Sequence, residues 1–165
     1  LTPVSLREEG GGYRVYLGAQ DVTETIRLPE ISDLASHIAS LAVVRRALLP
    51  LQRALGAKRG VVMEGRDIGT VVLPDARIKF FITASPDERA RRRLKDLAQR
   101  RADLSLEEVK RALAERDARD QSRQLAPLVP APDAIHVDST RMNFEQMLDY
   151  LVAVVKKELK PFDKN

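Results

Sequence analysis

The chain has 165 residues, 44% of them hydrophobic and 32% charged, a size and balance that support one ordinary globular domain and exclude a disordered polyelectrolyte. It has no cysteine, which excludes disulfide frameworks, thiolate metal sites and thiol catalysis; no apolar run approaches the roughly 20 residues that span a bilayer, and the N-terminal residues do not read as a signal peptide. A soluble, cytoplasmic protein without a membrane partner is therefore expected, and its net charge of +4, carried mostly by arginine, suits small phosphates better than a polyanion.

In chain order, the segments Val4-Ser5-Leu6, Tyr13-Arg14-Val15-Tyr16-Leu17 and Asp21-Val22-Thr23 are separated by Gly10-Gly11-Gly12 and Gly18-Ala19-Gln20, which predicts a small antiparallel meander. Ile31, Leu34, Ile38, Leu41, Val44, Leu48 and Leu51 then recur at helical steps, with Pro50 expected to kink or split the helix and an end near Gly56. Val61-Val62-Met63 and the apolar residues of 77–83 read as two core strands of a sheet covered on both faces. Ser85-Pro86-Asp87-Glu88 is a capping-box start for a helix through about Arg101, and Ser105-Leu106-Glu107-Glu108 starts a second helix that pairs with it. Residues 124–133, with three prolines, read as a loop, and Ile135-His136-Val137-Asp138 as a short strand. A last helix begins near Asn143, with Gln146 three residues on and Lys156, Lys157 and Lys160 at its C-terminal end. Strands alternating with helices imply an α/β protein with a mostly parallel sheet, whose ligands bind at the carboxyl ends of strands.

Position favours the loop Gly65-Arg66-Asp67-Ile68-Gly69 as a binding loop, since it follows an expected core strand; the alternative is a structural ion pair or a capped turn. In Glu115-Arg116-Asp117-Ala118-Arg119-Asp120-Gln121-Ser122-Arg123, helical spacing puts Arg116, Asp120 and Arg123 on one face, where with Arg66 they would form an anion clamp; the alternative is a solvated helix with surface salt bridges. Arg89, Arg91, Arg92, Arg93, Arg100 and Arg101 crowd one helix, and three readings are open for them: neutralising a transferring phosphate, holding RNA, or solubility. Only 4% of residues are aromatic, so no base-stacking surface is expected and a nucleic-acid partner is disfavoured. His37 and His136 lack the spacing of a metal pair, and no metal site is expected. Gly10-Gly11-Gly12 is followed by Tyr13-Arg14 and not by Lys-Ser or Lys-Thr, so it reads as a hairpin turn and not as a phosphate cradle.

The stretches 64–76 (EGRDIGTVVLPDA) and 81–90 (FITASPDERA), followed by 115–120 (ERDARD) and 126–130 (APLVP), resemble bacterial cytidylate kinases, in order and over nearly the whole chain. The resemblance implies the nucleoside monophosphate kinase fold: a P-loop-type parallel sheet flanked by helices, a meander within an enlarged monophosphate-binding insert, and a helical lid. It assigns 1–57 to CMP binding, 58–88 and 117–165 to the core, and 89–116 to the lid. It further implies phosphoryl transfer from ATP, with Mg²⁺, to CMP or dCMP. Ser36, Arg45 and Asp67 would read the cytosine, Arg66 and Arg123 would hold the phosphate and act as the catalytic residues, Arg116 and Asp120 would meet the sugar, and Arg89 and Arg93 would close over ATP. Family members are monomeric and begin with a P-loop. No such motif occurs in these residues, so a fragment inactive alone and prone to self-association is expected. The competing classes are a non-catalytic module for a pyrimidine nucleotide or a protein partner, and an RNA-binding arginine-rich domain.

Overall fold

The computed structural model describes residues 3–57, 60–98 and 104–159. The chain forms two compact units, 1–45 and 46–165.

In the first unit, β1 (Val4–Glu9), β2 (Gly12–Leu17) and β3 (Gln20–Asp21) form the expected antiparallel meander in sequence order. The β1–β2 register pairs Glu9 with Gly12, leaving a two-residue turn of Gly10 (φ 61°) and Gly11 (φ 79°). Both central residues of this tight turn are left-handed, which is why glycine occupies them. Thr23 is buried and closes the far side, its Oγ1 accepting from Val15 N at 2.8 Å while its own N–H donates to Asp21 Oδ1 at 2.9 Å. Arg14 Nε lies 2.5 Å from Asp21 Oδ2, and the Thr23 and Arg14 bonds together hold the Asp21 carboxyl down at about 2, below its usual 3.8. After a 3-10 turn at Thr25–Arg27 comes α1 (Pro29–Ile38), with proline in its first turn, where a missing N–H costs nothing.

The expected long helix does break, but not at Pro50. Helix α1 ends where Ser40 Oγ donates to the His37 carbonyl at 2.7 Å, and α2 (Ala42–Gly56) carries Pro50 in its interior. A hydroxyl that satisfies a terminal carbonyl stabilises a helix end. Pro50 is exposed, as is Arg46 one turn earlier, so water can solvate the carbonyl left without its usual donor.

In the second unit, β4 (Phe80–Thr83) and β5 (Ile135–Asp138) pair in parallel, Phe80 with Ile135 through Thr83 with Asp138. Residues 61–64 are not a strand: Val62 is 97% exposed, and among the described residues no neighbouring segment supplies the hydrogen bonds that define one. Between Gly65 and β4 the chain makes a wide π turn at Ile68–Val72, with Val72 N donating to Asp67 O (3.2 Å) and Leu73 N to Ile68 O (2.7 Å). Such turns are rare and recur at functional sites. Arg53 on α2 braces it by donating to Val71 O (2.9 Å) and Val72 O (3.2 Å).

Helices α3 (Pro86–Ala98) and α4 (Leu106–Ser122) pack against each other around Ala90, Leu97 and Val109, with Leu94, Leu106 and Leu113 at the edge of that core. The stretch beyond Ala98, with Arg100 and Arg101, lies outside the described residues. Ser105 forms the full capping box with Glu108, and Asn143 does so with Gln146 at the start of α5 (Phe144–Glu158); Lys160 lies outside the described residues. At Ser85 only half of the box forms. Ser85 Oγ accepts from Glu88 N at 3.3 Å, but Ser85 N donates to Thr140 Oγ1 at 2.8 Å and the Glu88 carboxylate turns to Arg92 at 2.9 Å. The tertiary partner Thr140 takes the Ser85 N–H, and Arg92, one turn on from Glu88, also donates to Ser139 Oγ (2.9 Å), Ser139 O (2.6 Å) and Met142 O (3.1 Å), which fixes α3 to the loop after β5. Among the described residues no single helix is long and apolar enough to cross a membrane.

Candidate functional site

Three segments of the second unit bring arginine together. Arg66 rides on the turn before the π segment, where a Cβ on Gly65 would lie 2.8 Å from Ile68 Cγ1, so this close return of the chain requires glycine. Helix α4 presents Arg116, Asp117 and Asp120 near its C-terminal end, and Arg123 caps that end. Helix α3 contributes Arg89 and Arg93.

At the centre is Asp120, only 2% exposed. Arg66 Nε faces its Oδ2 at 3.5 Å, Arg116 Nε the same oxygen at 3.8 Å, and Arg123 Nη1 its Oδ1 at 3.7 Å. A second carboxylate, Asp117, lies between Arg66 (Nη1 to Oδ1, 3.7 Å) and Arg89, whose Nη1 donates to Oδ2. Four guanidinium groups thus converge on two carboxylates, leaving positive charge in surplus. The Arg116 guanidinium registers it: its pKa is lowered by burial first and then by the cationic Arg66 and Arg93, against the pull of Asp120 and Asp117. Arg116 Nε and Arg123 Nη2 are buried without a hydrogen-bond acceptor among the described residues. Unsatisfied buried donors are costly, and in a site of surplus positive charge they mark where an anionic acceptor belongs.

The loop after α4 holds Arg123 in place. Arg123 Nε donates to Ala126 O at 2.5 Å, Leu128 N donates to Asp120 O at 2.8 Å, and Ala126 takes a left-handed φ of 51°. That conformation costs a residue with a Cβ about 1–2 kcal/mol, which the two anchoring bonds offset.

The structure therefore brings together Arg66, Arg116, Asp120 and Arg123, with Arg89 joined through Asp117 and Arg93 close enough to act on Arg116. The alternative of a solvated helix with surface salt bridges does not hold for a carboxylate as buried as Asp120. Arg123 reaches the cluster from the helix cap, in extended conformation, and not from the helical face that its spacing suggested. Asp67 is buried at the head of the π turn, and Arg66 turns from it to Asp117 and Asp120. Ser36 is buried on α1, and Arg45 Nη1 donates to Ala39 O at 3.3 Å; both belong to the first unit. His37 pairs with Asp33 at 3.4 Å and His136 stacks at a tilt on Phe81, and among the described residues no group of His, Asp and Glu could hold a metal ion. Asp117 carried no role by sequence reasoning, although its three-residue spacing from Asp120 places both carboxylates on one helix face.

The sequence profile of the family described as Cytidylate kinase matches residues 2–157. A cytidylate kinase of Citrifermentans bemidjiense is 45% identical over 161 residues, covering 98% of this chain and 69% of the relative. One of Pelotomaculum thermopropionicum is 48% identical over 156 residues (94% and 69%), and one of Thermotoga maritima 46% identical over 146 residues (88% and 66%). With the family profile matched over residues 2–157 and relatives 45–48% identical along nearly all of it, the chain belongs to the cytidylate kinase family.

Proposed function

We propose that this protein transfers the terminal phosphoryl group of Mg·ATP to CMP or dCMP, giving CDP or dCDP. The observation that carries the reading is the arginine cluster around the buried Asp120, whose guanidinium groups stand 3.5–3.8 Å from that carboxylate with donors of Arg116 and Arg123 still unused. A phosphate offers the short, bidentate, charge-assisted contacts that these distances leave unmade. In the transfer, an oxygen of the acceptor phosphate bonds to the terminal phosphorus of ATP as the bridging bond to ADP breaks. The demand on the protein is alignment and charge neutralisation, not a nucleophilic side chain.

Arg66 and Arg123 hold the acceptor phosphate, Arg116 and Asp120 meet the sugar, and Arg89 and Arg93 reach the ATP phosphates from the lid region 89–116. Asp67 accepts the amino donor of cytosine, which uracil lacks, and the family motif gives Ser36 and Arg45 the same base-reading role. ADP formation dependent on CMP, assayed on the full-length protein, tests the activity. The site is tested by thermal protection: CMP at 100 times its Kd adds about 2.7 kcal/mol of stability, and Arg123→Ala abolishes that gain. Undiminished protection of the variant would count against the clamp.

A further inference from the structure

Asp117 forms ion pairs with both Arg66, on the turn before the π segment, and Arg89, on α3. It is set one residue after Arg116 and three before Asp120, with a side chain 15% exposed. Its two oxygens divide their work: Oδ2 accepts directly from Arg89 Nη1, whereas Oδ1 stands 3.7 Å from Arg66 Nη1, beyond hydrogen-bond reach. Arg89 is fixed a second time by Nε donating to Ala84 O at 3.2 Å. Arg66 is held loosely between Asp117 and Asp120, at 3.7 and 3.5 Å. Two guanidinium groups at such close quarters repel, and a carboxylate between them lowers that cost and sets their separation.

We infer that Asp117 is a positioning residue that fixes the distance between Arg66, on the acceptor phosphate, and Arg89, on the donor phosphates. The inference rests on the proposed phosphoryl transfer and deepens it. Because Asp117 bonds Arg89 tightly and Arg66 only at a distance, Arg66 can give its N–H groups to an arriving phosphate while Arg89 stays anchored. The two arms then meet the bridging phosphoryl group from opposite sides at a spacing set by α4. Misplacement of such arms acts on the aligned transition state and leaves the ground-state binding of each substrate nearly untouched.

The test is steady-state kinetics of the full-length protein carrying Asp117→Asn, which keeps the shape and removes the charge. The expected result is a fall in kcat of about 10- to 100-fold, with the KM values for CMP and ATP within about threefold of the unsubstituted protein. In an Arg89→Lys background the same substitution should add little further loss, because the two residues act as one unit. An unchanged kcat, or a raised KM at unchanged kcat, overturns the inference. Should Asp117→Asn fail to fold, Asp117→Glu decides: it keeps the charge but moves it by one methylene, and unaltered kcat in that variant is equally fatal. If the unsubstituted protein forms no ADP in response to CMP, the proposed function itself falls, and the inference with it.

Discussion

Replacing Asp120 by asparagine removes the anion on which three arginines converge, and the consequence can be worked from the distances. At 3.7 Å and an effective dielectric constant near 20, the Arg123 to Asp120 attraction is about 4.5 kcal/mol before desolvation is charged against it. Arg123 dominates because its side chain is 7% exposed, whereas Arg66 and Arg116, at 37% and 32%, are screened by solvent and count for much less. Desolvation offsets much of the gross attraction, but breaking a buried pair by deleting one partner leaves an uncompensated charge and costs about 3–5 kcal/mol. Thermal unfolding of Asp120→Asn should therefore begin some 10 °C lower, at about 2–4 °C per kcal/mol for a chain of this length. The loss should be recovered in part by millimolar inorganic phosphate, because the variant pocket is more positive and still offers the donors of Arg116 and Arg123. A stability change below about 1 kcal/mol, or the same phosphate response in both proteins, would show that the arginines relax into solvent and that the cluster is not a preorganised anion site.

Two further predictions concern the scaffold. Arg92→Ala removes the donor shared by Ser139 Oγ, Ser139 O and Met142 O, and with Ser139 only 1% exposed the urea midpoint should fall by the equivalent of about 1.5–3 kcal/mol. Arg92→Lys should recover only part of this, since an ammonium lacks the planar fork, and full recovery would contradict the geometry. In the meander, the Asp21 carboxyl titrates at about 2 in place of its usual 3.8, so its contribution to stability is fully present above about pH 4 and is lost as pH falls toward 2. Acid titration of the Thr23 amide by NMR should show that midpoint, Asp21→Asn should abolish it, and a midpoint near 4 in the unsubstituted protein would refute the bond network.

The sequence alone determined the features that depend on near neighbours. The glycine turn at Gly10-Gly11 and the capping boxes at Ser105 and Asn143 follow from residues within a turn of each other, whose energetics hardly depend on the rest of the fold, and the pairing of α3 with α4 joins helices that are neighbours in the chain. The motif around Arg66 and the run from Arg116 to Arg123 singled out these arginines by residue type, although Arg123 joins the others from the helix cap and not from the helical face that its spacing suggested. Wherever distant partners compete, local pattern was insufficient. The apolar run Val61-Val62-Met63 looks like a strand, yet a strand exists only when a neighbour accepts its hydrogen bonds. Glu88 has the spacing of a capping residue, yet the Ser85 N–H it would take donates to Thr140, 55 residues away. Pro50 looks like the break in a helix that ends instead at Ser40, because solvent at an exposed carbonyl makes the proline tolerable. Only the tertiary structure could bury Asp120 beneath three arginines and place Asp117 between Arg66 and Arg89, since charges from three separate segments meet there and their energies depend on distance and solvent exclusion, neither of which is written in the order of residues.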